Sequence, residues 1–488
     1  MTDISSTGLK RRNLIKALGA ASVYSAFAPN TSFAGWLFNN EQKQDDWIKA
    51  ATIRANVIRP TFQDKVFNLV DYFEISDVDY EQAFQRSIQA CHAAGGGQVV
   101  VPKGEYLTGP IHLLSNVNLH LNEGAVVRFV TDPKRYLPAV ITRWEGMELM
   151  GYSPLIYAYK QTNIAITGKG TLDGSGDNNT WWPWKGPHKE GHWTLIEGED
   201  QKPARMKLMA DVENNVPVNQ RHYAEGAYLR PPFIQPYLCQ NILIEGVTIT
   251  NSPFWLVNPV LSQHVTVKGV KFISHGPNSD GCDPESCDHV LIEDCMFDTG
   301  DDCIAIKSGR NADGRRINIP SQNIVIRNCL MKEGHGGVVI GSEISGGVNN
   351  VFVEDCQMDS PHLERAIRIK TNSIRGGVIE HLRYRNINVG KVKNAIVVNF
   401  YYEEGDAGKF DPTVRDVVIE NLRCTEVLNQ PLNLQGFERK PISDFHLINC
   451  EFNQANKAST VKNITNFTLE NVTINGQIVS PEALINAS

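Results

Sequence analysis

The chain has 488 residues and a formal net charge of −7. That length suits one large domain or two ordinary ones, and the composition is that of a globular rather than a disordered protein. The acidic balance argues against a general binder of nucleic acid or anionic membrane. It leaves room for an acidic substrate held by a local group of Arg and Lys.

In chain order, the first signal is Lys10-Arg11-Arg12-Asn13-Leu14-Ile15, followed by a mildly apolar run from Ala17 to Ala28. Paired arginines, a weak apolar core and small residues near Ala34 predict a twin-arginine-type export signal over residues 1–34. The mature chain is then expected in the periplasm or outside a bacterium. It has no expected membrane anchor, because no other stretch is long and apolar enough to span a bilayer. A lead-in over 35–61 precedes a single domain over 62–480. Tyr80 to Ala94 carries apolar residues at helical spacing and runs into Gly95-Gly-Gly97. This predicts one helix that caps the start of the domain.

Beyond this helix the chain repeats. Asn241-Ile-Leu-Ile-Glu-Gly-Val247, His264-Val-Thr-Val-Lys-Gly-Val270 and His289-Val-Leu-Ile-Glu-Asp-Cys295 share one pattern. Asn323 to Cys329, Asn350 to Cys356, Asp444 to Cys450 and Asn466 to Val472 continue it, with weaker copies from Asn116 and Asn163. Each copy is a short strand of period two between polar or Gly corners. The copies recur every ~23–34 residues with almost no helical periodicity between them. This predicts an all-β right-handed parallel β-helix, a solenoid of stacked coils. Cys295, Cys329, Cys356 and Cys450 share one repeat position where other copies carry Val. They read as buried apolar fillers rather than a disulfide framework. A pairing among Cys282, Cys287 and Cys303 stays open. No Cys/His spacing reads as a zinc site. Residues 185–237 break the repeat and read as a long polar insertion that shapes a cleft.

Four neighbouring coils interrupt the pattern with polar motifs: Asn278-Ser279-Asp280-Gly281, Gly300-Asp301-Asp302-Cys303, Gly334-His335-Gly336 and Arg368-Ile369-Lys370. Alone, each is a commonplace turn, loop or surface pair. Their phase is the informative part. Asp301 and His335 lie about a dozen residues after the start of their repeats, which places them on one face, roughly 4.8 Å apart. Asp280 is expected one coil below Asp301. Arg368 and Lys370, two apart, point the same way. Asp301 and Asp302 would diverge in a regular strand, so a bend is expected between them. Crowded carboxylates push one another's pKa values apart, which suits the acid and base of glycoside hydrolysis. Arg and Lys nearby suit a uronate.

With these motifs in place, the sequence resembles the polygalacturonases of glycoside hydrolase family 28 from about Phe62 to Ile474. The resemblance includes Gly95 to Pro102, Arg143-Trp-Glu-Gly146, Gly170 to Gly174, His275 to Ser286 and Thr299 to Gly309. The one departure is Ser279, where Thr is commoner. The resemblance implies an inverting hydrolase of α-1,4-galacturonan without metal or cofactor. It implies Asp301 as general acid and Asp280 with Asp302 as the pair that activates water. His335 would sustain the network around Asp301. Arg368 and Lys370 would bind a uronate carboxylate, and Asn278 would position the sugar. Tyr402, beside Tyr401, is expected to stack on a sugar. Inversion implies carboxyl groups roughly 6.5–9.5 Å apart. Exo action on polygalacturonate or pectic oligosaccharides by a monomer is expected. Action on rhamnogalacturonan or a substituted galacturonan is the close alternative, and a calcium-dependent pectate lyase the more distant one.

Overall fold

A computed structural model describes residues 46–187, 193 and 195–486. The expected export signal over 1–34 lies outside the described residues. From Val66 to Ile478 the chain winds as a right-handed parallel β-helix. Apart from the hairpin Val140–Trp144/Met147–Gly151 and a closing pair at Thr473–Ile478, the strand pairs are parallel. Among the described residues, no helix is long and apolar enough to cross a membrane.

The repeat pattern explains each coil. Its opening polar residue is a corner: Asn241, His264, His289, Asn323, Asn350, Asp444 and Asn466 all have φ between 47° and 58°. Asn and Asp tolerate this left-handed conformation because their side chains bond locally. Here they also bond between coils, as where Asn241 Nδ2 donates to Asn163 Oδ1 at 2.9 Å. The sixth position is a second corner, with positive φ at Gly246, Gly269, Asp294, Asn328 and Asp355. Between the corners, alternate residues face inward in register. Val265, Val290, Ile324, Val351, Leu382, Val417 and Phe445 form one continuous, fully buried column. Burying each such side chain stabilises the coil by about 1.5–3 kcal/mol. Two strands in this series, Val378–Val392 and Thr413–Val427, are copies that the sequence pattern did not single out. All ten cysteines are buried and free, so no pairing occurs among Cys282, Cys287 and Cys303.

The helix Glu81–Ala93 closes the first coils with Phe84, Ile88 and Cys91 buried. Within the lead-in, a helix at 46–56 lies on the outer face of the solenoid. Its Ala50 and Ile53 pack with Leu291, Val325 and Phe352. Arg385 stacks on Trp47, 3.8 Å from its ring centroid.

The interruption spans 174–233. The strand Ile234–Tyr237, placed in the insertion from sequence, pairs in register with Ile156–Tyr159 and belongs to the solenoid. Within the interruption, Lys202–Glu213 is an α-helix that buries only Leu208 and Val212. Such a narrow apolar face explains why helical periodicity did not reveal it.

Candidate active site

The motifs converge where the chain passes into the six-stranded sheet that begins with Ile304–Ile306 and Val338–Ile340. Gly300 and Asp301 form the expected bend between Met296–Thr299 and that sheet. His335 N–H donates to Asp301 O at 3.1 Å, and Gly281 N–H to Asp302 O at 3.0 Å. The coils of Asp280, Asp301 and His335 are therefore direct neighbours, in the predicted order. Because of the bend, Asp301 and Asp302 turn to the same side. Asp280, Asp301 and Asp302 each place a carboxylate oxygen within 4.8 Å of the other two.

The three carboxylates differ in access. Asp301 is 16% exposed, Asp280 4% and Asp302 0%. Asp302 is buried beside Asp280 and Asp301, where Lys370 Nζ donates to its Oδ2 at 2.6 Å and Arg368 Nη1 to its Oδ1 at 3.5 Å. Gly336 makes this reach across a coil feasible. A Cβ there would meet Asp302 Oδ1 at 3.2 Å and collide with Val339. Lys370 is thus committed to Asp302. Arg368, at a marginal distance, keeps donors for a ligand.

His335 Nδ1 lies 2.9 Å from Asp301 Oδ1. On the other side, Asn278 Nδ2 donates to Asp301 Oδ2 at 3.5 Å. Burial pushes the Asp301 carboxyl up, but the His335 charge and hydrogen bond, with Lys370 and Lys307, hold it well below the carboxylate range. Asp301 in turn pushes His335 up to about 8. Asp280 goes the other way: burial, then the charges of Asp283 and Asp301, raise it well above its ordinary value. Burial and neighbouring carboxylates therefore favour the protonated form of Asp280, whereas the His335 charge and hydrogen bond favour the ionised form of Asp301. These directions run opposite to the acid and base roles implied by the resemblance.

The cleft has a volume of about 1000 Å³. Trp182, Lys185, Trp193 and Arg205 of the interruption form part of its wall, with Glu145 from the hairpin turn. Arg205 Nε and Arg310 Nη1 both donate to Glu145 Oε2, at 2.7 and 2.9 Å, tying the interruption to the solenoid. Arg230, fully buried, donates to Asn278 Oδ1 at 2.8 Å and to Pro277 O at 2.6 Å. It fixes the amide that touches Asp301. Sequence reasoning missed Glu145, Arg205, Arg230, Arg310 and Glu343. They lie on non-repeating segments or outside the four motifs, where phase carries no information. The two tyrosines separate clearly. Tyr402 lines the cleft, its ring centroid 5.4 Å from both Arg368 and Lys370. Tyr401 packs edge-on against Phe437.

The three aspartates have the spacing of a cation site, but each already faces a protein cation: Lys307 at 3.5 Å, His335 at 2.9 Å and Lys370 at 2.6 Å. A second group at the cleft rim joins His275, Asp298 and Glu333. There His275 pairs with Asp298 at 3.1 Å and Lys332 competes for the same carboxylate at 3.3 Å.

Comparison with known proteins places this arrangement. The sequence profile of "Glycosyl hydrolases family 28" matches residues 217–473. A "Probable polygalacturonase" of Vitis vinifera is 28% identical over 417 residues, covering 81% of this chain and 75% of the relative. The "Exo-poly-alpha-D-galacturonosidase" of Dickeya chrysanthemi is 24% identical, covering 86% and 75%. The crystal structure of a hyperthermoactive exopolygalacturonase from Thermotoga maritima is 42% identical. It superposes with a TM-score of 0.84 over 88% of this chain and 96% of that one. The profile match over more than half the chain, with this structural likeness, shows that the protein belongs to glycosyl hydrolase family 28.

Proposed function

We propose that the protein is an exo-acting polygalacturonase, an inverting hydrolase of α-1,4-galacturonosidic bonds in polygalacturonan and pectic oligosaccharides. The observation that carries this reading is the group Asp280, Asp301 and Asp302, with oxygens within 4.8 Å, in a cleft lined by cations. Asp301 is the most accessible of the three and protonates the glycosidic oxygen, drawing on the proton it shares with His335. Asp280 and Asp302 hold and deprotonate the attacking water. A water that donates two hydrogen bonds of ~2.8 Å spans acceptors about 4.5 Å apart. The spacing found here therefore suits one bridging water, although it is tighter than the separation expected for an inverting pair. Arg368 grips the uronate carboxylate, with Tyr402 behind it. Lys370 serves mainly to hold the Asp302 carboxylate in place. Exo action is supported by the wall that the interruption builds along the cleft. It is supported further by the likeness to the Thermotoga maritima exopolygalacturonase.

The twin-arginine pattern at Lys10–Ile15 supports export to the periplasm or beyond. The test of the reaction is release of reducing ends from polygalacturonate in the presence of chelator, without the ultraviolet absorbance of an unsaturated product. Asp301→Asn should abolish turnover and leave oligogalacturonate binding measurable. Chelator-sensitive release of unsaturated products would instead establish a lyase.

A further inference from the structure

Around Asp280 the protein holds a charged group that the proposed reaction does not use. Lys307, 2% exposed, comes directly after the strand Ile304–Ile306. Its Nζ lies 3.5 Å from Asp280 Oδ2, 3.6 Å from Asp283 Oδ2 and 3.5 Å from Glu343 Oε2. The Trp255 ring centroid closes another side at 4.4 Å. A committed charge-assisted hydrogen bond is about 2.7–2.9 Å long. This ammonium is therefore suspended between three acids rather than bound to one. Asp283 is fully buried, and neither of its oxygens has a hydrogen-bond partner; Asp280 Oδ1 has none either. Buried carboxylate oxygens without partners are costly, so such an arrangement calls for a functional reason or ordered water.

We propose that Lys307 and Asp283 are a pair of positioning residues that govern when Asp280 gives up its proton and becomes able to hold the attacking water. The proposal rests on the reading of Asp280 as part of the water-activating pair. Lys307 favours the Asp280 anion. Asp283 competes for the same ammonium, and its own charge favours the protonated form of Asp280. Asp280 also faces Asp301, Asp302 and Arg230, and Lys307 also faces Glu343, Glu285 and Lys370. All of these stay in place when Lys307 or Asp283 alone is replaced.

The test compares pH profiles of kcat on oligogalacturonate for the wild type, Lys307→Met, Lys307→Arg and Asp283→Asn. Lys307→Met should move the acid limb up by at least about one pH unit and so lower kcat on that limb by about tenfold or more, with KM changed less than about threefold. Asp283→Asn, close to isosteric, should move the limb down. Lys307→Arg, which keeps the charge, should stay nearer the wild type. If Lys307→Met does not fold, the downward movement in Asp283→Asn carries the test. Asp280 titration, followed by carboxyl NMR against Asp280→Asn, should move in the same directions without any need for turnover. Unmoved limbs and an unmoved Asp280 titration would overturn the proposal. Absence of turnover in the wild type would instead overturn the functional reading.

Discussion

Replacing His335 with Gln removes the imidazole that lies 2.9 Å from Asp301 Oδ1. In the wild type the two groups titrate as a unit. The pair holds one proton, nominally on the imidazole, and loses it near pH 8 rather than at the ordinary histidine value of 6.5. The gap of about 1.5 pH units corresponds to ~2 kcal/mol. His335 is half exposed, so solvent screening reduces its worth as a stabilising ion pair to about 1 kcal/mol. Because the folded value is raised, that stabilisation is complete below pH 6.5 and is lost as pH rises through about 8. For catalysis, loss of this proton removes the acid. The kcat/KM of the wild type should therefore fall above about pH 8, since that parameter reports the free enzyme. In His335→Gln the basic limb should move down by at least about one pH unit, which lowers kcat/KM at pH ~9 by about tenfold or more. The assay is initial rates on a short oligogalacturonate from pH ~4 to ~9, with circular dichroism at each pH to confirm folding. A variant that loses activity equally at every pH, with its basic limb unmoved, would refute the shared-proton account.

Arg368→Ala should weaken uronate binding and lower kcat/KM by about 10- to 100-fold, mostly through KM, as expected for a hydrogen bond to a charged group. Arg368→Lys should recover only part of this, because an ammonium cannot grip a carboxylate at two points; steady-state kinetics check both. Proton NMR of the first-formed product should show the β anomer, and an α anomer would instead assign a covalent route. Phe445→Ala, in the fully buried column well away from the cleft, should destabilise the fold by about 3–5 kcal/mol in guanidinium unfolding while kcat is unchanged.

The fold was legible because one constraint recurs in every coil. A corner that requires positive φ selects Asn, Asp, His or Gly, and the strand after it must alternate to fill the interior. That is why Asn241 and Asn466, more than 200 residues apart, mark the same corner. Arg383 and Tyr384 blur the alternation of the copy opening at His381, whereas Asp416-Val-Val-Ile-Glu-Asn-Leu422 follows the pattern in full, and both corners obey the same rule. The catalytic group was legible for a related reason. Asp280, Asp301 and His335 sit in repeat phase, so their stacking can be counted out along the chain. The charges that tune them were not legible. Arg230 and Arg205 come from the interruption, where no period relates position to direction, and Glu145 reaches the cleft from a hairpin turn. The commitment of Lys370 to Asp302 was also hidden, since it joins side chains 68 residues apart in sequence. The polarity of the cluster was the largest surprise. A half-exposed histidine depresses Asp301 and burial raises Asp280, so the two shifts run opposite to the roles needed in the reaction.

The central claim is that the three-aspartate cleft, walled by the interruption, removes galacturonate from chain ends. Chromatography of the products of polygalacturonate over the time of digestion tests it most directly. The account predicts galacturonate monomer alone from the first time point, with the long polymer shortening slowly. A spread of intermediate sizes at early times would contradict the walled-cleft reading, and no product at all would contradict the substrate.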